Sequence, residues 1–144
     1  MRIAVASDHA GYEYKERIKS YLAARGHEVV DFGTDSTAPV DYPDLIAPAA
    51  RSVADGDCEG GIVFGGSGNG EAIVCNRLRG IRCAVCWSLA SAELAKRHND
   101  ANMISIGQRL LDYELVESIV ERWLSTEFED GRHRRRIRKI DQVE

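Results

Sequence analysis

The strict alternation of strand-like and helix-like segments is the feature that most limits how this chain can fold. Apolar runs predict five strands, at residues 3–7, 28–32, 62–64, 83–87 and 103–106. Apolar residues at helical spacing follow each run, as in residues 14–22, 45–53, 71–78, 89–95 and 115–124. Such alternation favours a parallel sheet with helices on both faces. The sequence therefore predicts an α/β fold, a Rossmann-like three-layer α/β/α sandwich with a five-stranded parallel sheet.

The length of the chain is that of one ordinary domain. A domain of 144 residues buries about 68–70% of its unfolded surface and folds without disulfides or a structural metal. No stretch approaches the roughly 18 consecutive apolar residues of a membrane helix, and the first strand begins at once, without a charged leader. We expect a single domain over residues 1–144, cytoplasmic and without a membrane partner.

Four cysteines are consistent with that compartment if all are reduced thiols. Cys83 and Cys86 form a C-x-x-C motif, but residues three apart on a strand face opposite sides and cannot share a metal or a disulfide. Cys58 is expected to be an ordinary buried thiol. Cys75 differs, because on a helix it lies one turn after Glu71 and on the same side.

A glycine-rich loop at residues 65–70 connects the third strand to a helix. Glycines let the backbone turn sharply and expose N–H groups, and the helix dipole adds partial positive charge, so such a loop can hold an anion. The loop does not match either of two nucleotide-binding motifs. Glu71 stands where a P-loop has its phosphate-binding lysine and where the dinucleotide fingerprint has its third glycine. ATP and NAD are therefore poor candidates.

The position of Glu71 allows two interpretations. A carboxylate beside an oxyanion cradle suits proton abstraction next to a carbonyl. A glutamate in the first turn of a helix can equally serve only to complement the helix dipole. The loop alone leaves both open.

Ligands of parallel α/β sheets gather at the carboxyl ends of the strands. Asp8 and His9 follow the first strand, and Arg109 follows the fifth. These side chains are therefore candidates for the same site as the glycine loop. As an alternative, Asp8 could cap a helix and His9 could be a surface imidazole.

Charge is concentrated in the last residues. Residues 132–144 carry six Lys or Arg against two Asp or Glu, whereas the rest of the chain carries 13 against 21. An acidic body repels a polyanion, and no aromatic residue lies among the arginines to stack on bases, so nucleic acid is not expected as a partner. On a helix, Arg132 and Arg136 would lie one turn apart with His133 alongside, which suits a phosphate dianion.

Together these segments resemble the type B ribose-5-phosphate isomerases. That sugar-phosphate isomerase family also includes galactose-6-phosphate isomerase subunits and allose-6-phosphate isomerases. The similarity extends over nearly the whole chain and rests on five motifs, at residues 8–11, 41–43, 65–70, 97–102 and 131–133. The resemblance implies an aldose–ketose isomerisation through a cis-enediolate, without a metal or another cofactor.

The resemblance also implies a base. One branch of the family uses a cysteine at the position of Gly65, and the other uses a glutamate at the position of Glu71. This chain has no thiol at 65, so the resemblance makes Glu71 the catalytic base. Ser67 would help to stabilise the enediolate. The loop residues expected to contact the substrate through their backbones are Gly66, Gly68, Asn69 and Gly70.

Further roles follow from the resemblance alone. His98 would open the furanose ring, Asp8 would pass protons at O1 or O2, and Asn99 would hydrogen-bond to the sugar. Tyr42 would form part of the wall. The phosphate would be held by His9, Arg109, Arg132, His133 and Arg136.

Some of these phosphate ligands are expected to come from a second subunit of a homodimer, or of a tetramer. Residues 128–144, the basic C-terminal segment, would contact that subunit. Ribose 5-phosphate is the expected substrate, and erythrose 4-phosphate, allose 6-phosphate and galactose 6-phosphate are the alternatives. Two other classes stay open from the sequence: a non-catalytic sugar-phosphate-binding protein, and a nucleic-acid-binding protein that uses the basic tail.

Overall fold

A five-stranded sheet runs through the middle of the molecule, with all neighbouring strands parallel. The computed structural model describes residues 1–144. The strands are β1 (Arg2–Ser7), β2 (Glu28–Asp31), β3 (Gly60–Gly65), β4 (Cys83–Val85) and β5 (Met103–Gly107). The helices are α1 (Tyr12–Ala24), α2 (Tyr42–Ala54), α3 (Asn69–Asn76), α4 (Leu89–Asn99), α5 (Tyr113–Ser125) and α6 (Arg132–Ile140). The predicted α/β fold with a five-stranded parallel sheet is confirmed.

Both faces of the sheet are covered by helices. Along β1, Ile3 and Val5 point into a core shared with α1, α4 and α5, and Ala4 and Ala6 point into a second core shared with α2 and α3. All four side chains are fully buried. Burial on both faces explains why β1 and β3 are continuously apolar rather than alternating.

The two cores also separate the cysteines of the C-x-x-C motif. Cys83 packs in the core beneath α2 and α3, whereas Cys86 packs in the core beneath α4 and α5. All four cysteines are free and buried. The prediction that Cys83 and Cys86 face opposite sides is confirmed. None of the helices combines the length and the apolarity needed to cross a membrane.

Several element boundaries differ from the sequence prediction, and strand β4, for example, ends at Val85 and not at residue 87. Helix α3 begins at Asn69 and ends at Asn76, two residues earlier at each end than predicted, because Gly68 at φ 81° is already its N-cap. Helix α2 begins at Tyr42, so Pro43 lies in its first turn rather than in the preceding loop. Proline suits that position, since its missing N–H is not needed there. Strand β2 stops at Asp31, one residue early.

A buried lysine joins α1 to the end of β2. The Lys15 side chain is fully buried, and its Nζ donates to both carboxylate oxygens of Asp31 at 2.8 Å. Lys19 donates to the same carboxylate at 2.6 Å. Burial raises the pKa of Asp31, but the hydrogen bonds from Lys15 and Lys19 outweigh it, and the pKa lies below its ordinary value. The ionised pair therefore fixes this corner of the fold.

The order of the strands determines where a ligand can bind. The sheet order is β2-β1-β3-β5-β4, so the chain turns to one side of β1 to form β2 and to the other side to form β3. Such a reversal opens a crevice at the carboxyl ends of the two central strands. The ends of β1 and β3 line this crevice.

Candidate active site

The glycine loop between β3 and α3 is held by backbone contacts from the segment after β5. The N–H of Gln108 donates to the carbonyl of Gly65 at 2.8 Å, and the N–H of Arg109 donates to that of Gly66 at 3.1 Å. Beneath the loop, the buried hydroxyl of Ser105 donates to the carbonyl of Gly68 at 2.7 Å. These three bonds fix the shape of the loop before any ligand arrives.

The loop and the first turn of α3 present donors to the crevice. The early N–H groups of a helix have no acceptor within the helix and carry its positive dipole end. Ser67 is exposed, and its Oγ accepts a long hydrogen bond of 3.3 Å from the N–H of Asn69. The structure thus brings Ser67, Gly68, Asn69 and Gly70 together as a cradle suited to a negatively charged oxygen.

Glu71 is the one carboxylate buried in that turn, with only 3% of its surface exposed. Its carboxylate occupies the place where a side chain on residue 65 would begin, beside the α-carbon of Gly65. Burial raises the pKa of Glu71, its own N–H lowers it, and the nearby charge of Asp8 raises it further, so that the net shift is upward. A desolvated carboxylate with a raised pKa is a better proton acceptor than an exposed one.

Asp8 and His9 extend the crevice from the end of β1. The carboxylate of Asp8 is buried and accepts a hydrogen bond of 3.0 Å from the N–H of Gly11, just before α1. His9 accepts one of 3.2 Å at Nδ1 from the N–H of Val40. Asp8 is not the cap of α1, whose N-cap is Gly11 without a side-chain cap, so the capping alternative is wrong. The carboxylate of Asp8 instead lies close enough to Glu71 to affect its pKa.

Tyr42 and Arg109 flank the loop. A β-carbon on Gly70 would lie 2.6 Å from Cζ of Tyr42, so the ring packs directly on the first turn of α3. The guanidinium of Arg109 lies over Gly66, where a β-carbon would be 3.1 Å from Nη1. Arg109 is exposed and its charge is available to an anion at the loop.

The remaining candidates lie at the opposite end of the sheet, where the strands begin, which we call the amino-terminal edge. His98 and Asn99 end α4, and β5 starts four residues later at Met103, so both belong to the edge where strands begin. The side chain of Arg82, which precedes β4, donates to the carbonyl of Asn99 at 2.8 Å at this same edge. Within one chain, His98 and Asn99 are therefore separated from Glu71 by the length of the sheet.

His98 is joined at that edge by the C-terminal segment. The rings of His98 and His133 are stacked, with centroids 4.4 Å apart and planes 12° from parallel. The carboxylate of Glu129 lies beside both rings, with Oε2 3.7 Å from Nε2 of His98 and Oε1 3.8 Å from Nε2 of His133. One ligand atom from each residue lies within 4.8 Å of the other two, so this group has the composition and spacing of a possible metal site.

Helix α6 carries the predicted pair of arginines. Arg132 and Arg136 lie one turn apart and are exposed, with the buried His133 in the same first turn. The N–H of Glu129 donates to the carbonyl of Arg97 at 3.0 Å, which attaches the segment before α6 to α4. The structure therefore groups His98, Asn99, Arg132, His133 and Arg136 at the amino-terminal edge.

Two contributors were missed by sequence reasoning. Ser105 lies inside an apolar strand and gives no signal of its own, although a buried hydroxyl normally has a hydrogen-bond partner. Glu129 lies near the start of the basic segment and has the pattern of an ordinary surface acid, and only the fold shows it beside two imidazoles.

Similarity to known proteins identifies the family. The sequence profile of the Ribose/Galactose Isomerase family matches residues 3–140. Ribose-5-phosphate isomerase B of Escherichia coli K12 is 41% identical over 143 residues, which span 99% of this chain and 96% of that protein. The chain belongs to the ribose/galactose isomerase family. It is thereby an enzyme of the aldose–ketose isomerase class, as its sequence motifs predicted.

Other members of the family agree in sequence and in structure. Ribose-5-phosphate isomerase B of Mycolicibacterium paratuberculosis is 46% identical over 140 residues, 95% of this chain and 87% of that protein. The solved ribose 5-phosphate isomerase of Thermotoga maritima superposes with a TM-score of 0.96 at 48% identity, covering 99% of this chain and 98% of that one. The type B enzyme of Clostridium thermocellum gives 0.97 at 44% identity, covering 99% and 96%.

Proposed function

We propose that this isomerase interconverts ribose 5-phosphate and ribulose 5-phosphate through a cis-enediolate, without a metal. The observation that carries the proposal is the position of Glu71. Its buried carboxylate lies beside Gly65, with a raised pKa, in the turn that also forms the anion cradle. A complement to the helix dipole needs neither burial nor a neighbouring carboxylate such as Asp8. The relatives named as ribose-5-phosphate isomerases support this choice of substrate.

The proposed reaction moves one proton between two carbons of the open-chain sugar. Glu71 removes the proton from C2 of the aldose, and the electron pair moves through the C1–C2 bond to the carbonyl oxygen O1. The N–H groups at the start of α3 and Ser67 stabilise the resulting oxyanion. Asp8 carries a proton from O2 to O1, and Glu71 returns its proton to C1. The ketose is then complete, and both carboxylates regain their initial states.

The separation of the candidate residues supports a site shared between two chains. Glu71, Asp8 and the glycine loop lie at the carboxyl edge, whereas His98 and Arg132 lie at the amino-terminal edge of the same chain. A single chain cannot bring both groups to one small sugar phosphate. We therefore infer a homodimer in which the basic segment, residues 128–144, reaches the carboxyl edge of its neighbour. There His98 would open the ring, and the arginines would hold the phosphate.

The base is tested by the substitution Glu71→Gln. The amide keeps the size of the side chain but cannot accept the proton, so kcat should fall by about 10²–10⁴ with KM little changed. The matched control is Cys75→Ala, one helical turn away, which should retain activity. Near-normal turnover of Glu71→Gln together with an inactive Cys75→Ala protein would assign the base to the thiol.

The substrate is tested by comparing kcat/KM over four sugar phosphates. Ribose 5-phosphate should exceed erythrose 4-phosphate, allose 6-phosphate and galactose 6-phosphate. A higher kcat/KM for a six-carbon sugar would contradict the proposed substrate and leave the mechanism standing. Binding of all four without turnover would instead indicate a sugar-phosphate sensor.

A further inference from the structure

Two histidines and a carboxylate converge at the amino-terminal edge, away from Glu71. We call His98, Glu129 and His133 the edge triad. Glu129 is the member to which the proposed reaction gives no role, and its carboxylate lies within 4 Å of both imidazoles. Two imidazole nitrogens and a carboxylate oxygen form a ligand set that binds zinc in other proteins and leaves a fourth position open.

A second observation comes from His133. Only 7% of its side chain is exposed, and its Nε2 is buried without a hydrogen-bond partner. Buried polar atoms are normally satisfied, so an unpartnered one calls for an explanation. This nitrogen faces the triad, 3.8 Å from the Glu129 carboxylate, which is too far for a hydrogen bond. A bound cation would satisfy it.

The spacing of the ligand atoms is somewhat wider than that of a tetrahedral site. Zinc bonds of about 2.0–2.1 Å place neighbouring ligand atoms about 3.3 Å apart. Here one ligand atom from each residue lies within 4.8 Å of the other two, and the imidazole nitrogens lie 3.7 and 3.8 Å from the two different oxygens of Glu129. The two rings are nearly parallel, so one ring must turn before both lone pairs point at a single ion. His98, with 38% of its side chain exposed, is free to do so.

Two arginines share the same carboxylate. Arg97 lies 3.5 Å and Arg132 3.9 Å from Glu129, and at least half of each side chain is exposed. Exposed ion pairs of this kind are weak, so a divalent ion can displace them. Their positive charge lowers the affinity of the site for a cation, but neither arginine fills the position of the ion.

We propose that the edge triad is a binding site for Zn²⁺, with His98, Glu129 and His133 as its protein ligands. Binding blocks the isomerase, because a coordinated His98 cannot exchange protons with a sugar and a coordinated His133 cannot contact its phosphate. The inhibition, unlike the binding itself, rests on the proposed function. The ion is an inhibitor and not a cofactor, so the metal-free reaction is unaffected by chelators.

Direct binding is measured first, by titrating Zn²⁺ into metal-stripped protein in a buffer without phosphate. One ion per chain is expected. Glu129→Gln should weaken binding by at least about tenfold. His27→Ala is the matched control, because the His27 ring is hydrogen-bonded to the N-terminal amine, and it should bind as the unchanged protein does. Because 42% of the Glu129 side chain is exposed, Glu129→Gln should fold normally. Equal affinity of Glu129→Gln and the unchanged protein overturns the site.

Nuclear magnetic resonance identifies the ligands among the four histidines. Zn²⁺ should shift the imidazole signals of His98 and His133 and leave those of His9 and His27 in place. Shifts at His9 or His27 alone, or none at any histidine, also overturn the proposal. This measurement separates the triad from the four buried thiols, which are the other zinc-binding groups of the chain.

The inhibitory consequence is measured in the isomerase assay. Zn²⁺ should raise the apparent KM for the sugar phosphate in the unchanged enzyme, and EDTA should restore it. Glu129→Gln should need at least about tenfold more Zn²⁺ for the same inhibition. Binding at His98 and His133 without inhibition would overturn the inhibitory role. A chain without isomerase activity would contradict the proposed function and leave the binding result unaffected.

Discussion

At the scale of single residues, the glycine at position 65 is as informative as the glutamate at position 71. The carboxylate of Glu71 lies where a side chain at position 65 would begin. A cysteine at 65 and a glutamate at 71 would therefore compete for the same space. The cysteine base and the glutamate base that the sequence resemblance implies are therefore predicted to exclude each other on steric grounds, so the residue pair at 65 and 71 should indicate which one a member uses.

We expect Gly65→Ala to lower kcat by at least about tenfold, because the new methyl group displaces the Glu71 carboxylate from its place. Steady-state kinetics would measure the loss. The double variant Gly65→Ala/Glu71→Gln provides the control. If the methyl group acts through Glu71, the double variant should be no slower than Glu71→Gln alone, which is a non-additive pair. Additive losses would assign the methyl group another effect.

Glu71 should also link activity and stability to pH. Its pKa is raised in the folded protein, so the acid limb of kcat/KM should have its midpoint above the ordinary glutamate value of 4.5. The folded state holds this proton more tightly than the unfolded state does. Stability from this group is therefore fully present below pH 4.5 and is lost as pH rises through the raised pKa.

Glutamine at position 71 does not ionise, so the variant does not lose stability as the pH rises through the pKa of Glu71. Glu71→Gln should melt at a higher temperature than the unchanged protein at pH 7, and the difference should shrink at pH 4. Thermal unfolding followed by circular dichroism would measure both. A lower melting temperature at pH 7 would mean that the ionised carboxylate stabilises the fold, contrary to the direction of its pKa shift.

At the scale of helices and strands, the buried Lys15 makes the contact between α1 and β2 sensitive to charge. Asp31→Asn leaves the ammonium of Lys15 buried with only Glu16, at 3.2 Å, as a charged partner. We expect the free energy of unfolding to fall by about 3 kcal/mol. Chemical denaturation at pH 7 would measure it. Glu28→Gln, also on β2, breaks only an exposed pair with Arg2 and should cost about 0–1 kcal/mol.

The ion pair between Lys15 and Asp31 should lose its stabilising effect at low pH. The pKa of Asp31 is lowered on folding, so its contribution is present above pH 3.8 and is lost as pH falls through the lowered value. Asp31→Asn should lack this part of the acid dependence. A stability difference between Asp31→Asn and the unchanged protein that does not change below pH 3.8 would contradict the assignment.

The predicted elements were correct in type because the chain repeats one simple pattern. Apolar runs and helical periodicity are strong signals when both faces of a sheet are covered. The ends of elements were less accurate. Gly68, with its positive φ, is the N-cap at which the loop ends, and Pro43 lies in the first turn of a helix. The periodicity of apolar residues predicts neither boundary.

The order of strands and helices predicts where the site residues lie in the fold, which the sequence motifs alone do not. In a parallel sheet, a helix that leads into a strand must end at the edge where that strand begins. His98 ends the helix before β5, so its distance from Glu71 followed from element order alone. Glu129 and Ser105 could not be found in this way, because their roles depend on contacts between segments distant in sequence.

At the scale of the whole molecule, a mixing experiment tests whether the two groups of residues meet between chains. Glu71→Gln and Arg132→Ala/Arg136→Ala should each be inactive alone. Mixed under conditions of subunit exchange, they should regain activity, since half of the sites in a heterodimer would combine an intact carboxyl edge with an intact basic segment. Verified exchange without recovered activity would contradict the shared site.

The position of the two groups at opposite edges restricts how chains can assemble. Chains stacked head to tail without closing into a ring would leave one unused carboxyl edge and one unused basic segment, and so would grow into open filaments. A two-fold rotation instead pairs both edges of both chains in one step and leaves nothing unpaired. Closed symmetry, rather than the strength of any single contact, would then limit the assembly to a discrete particle with equal numbers of chains and sites.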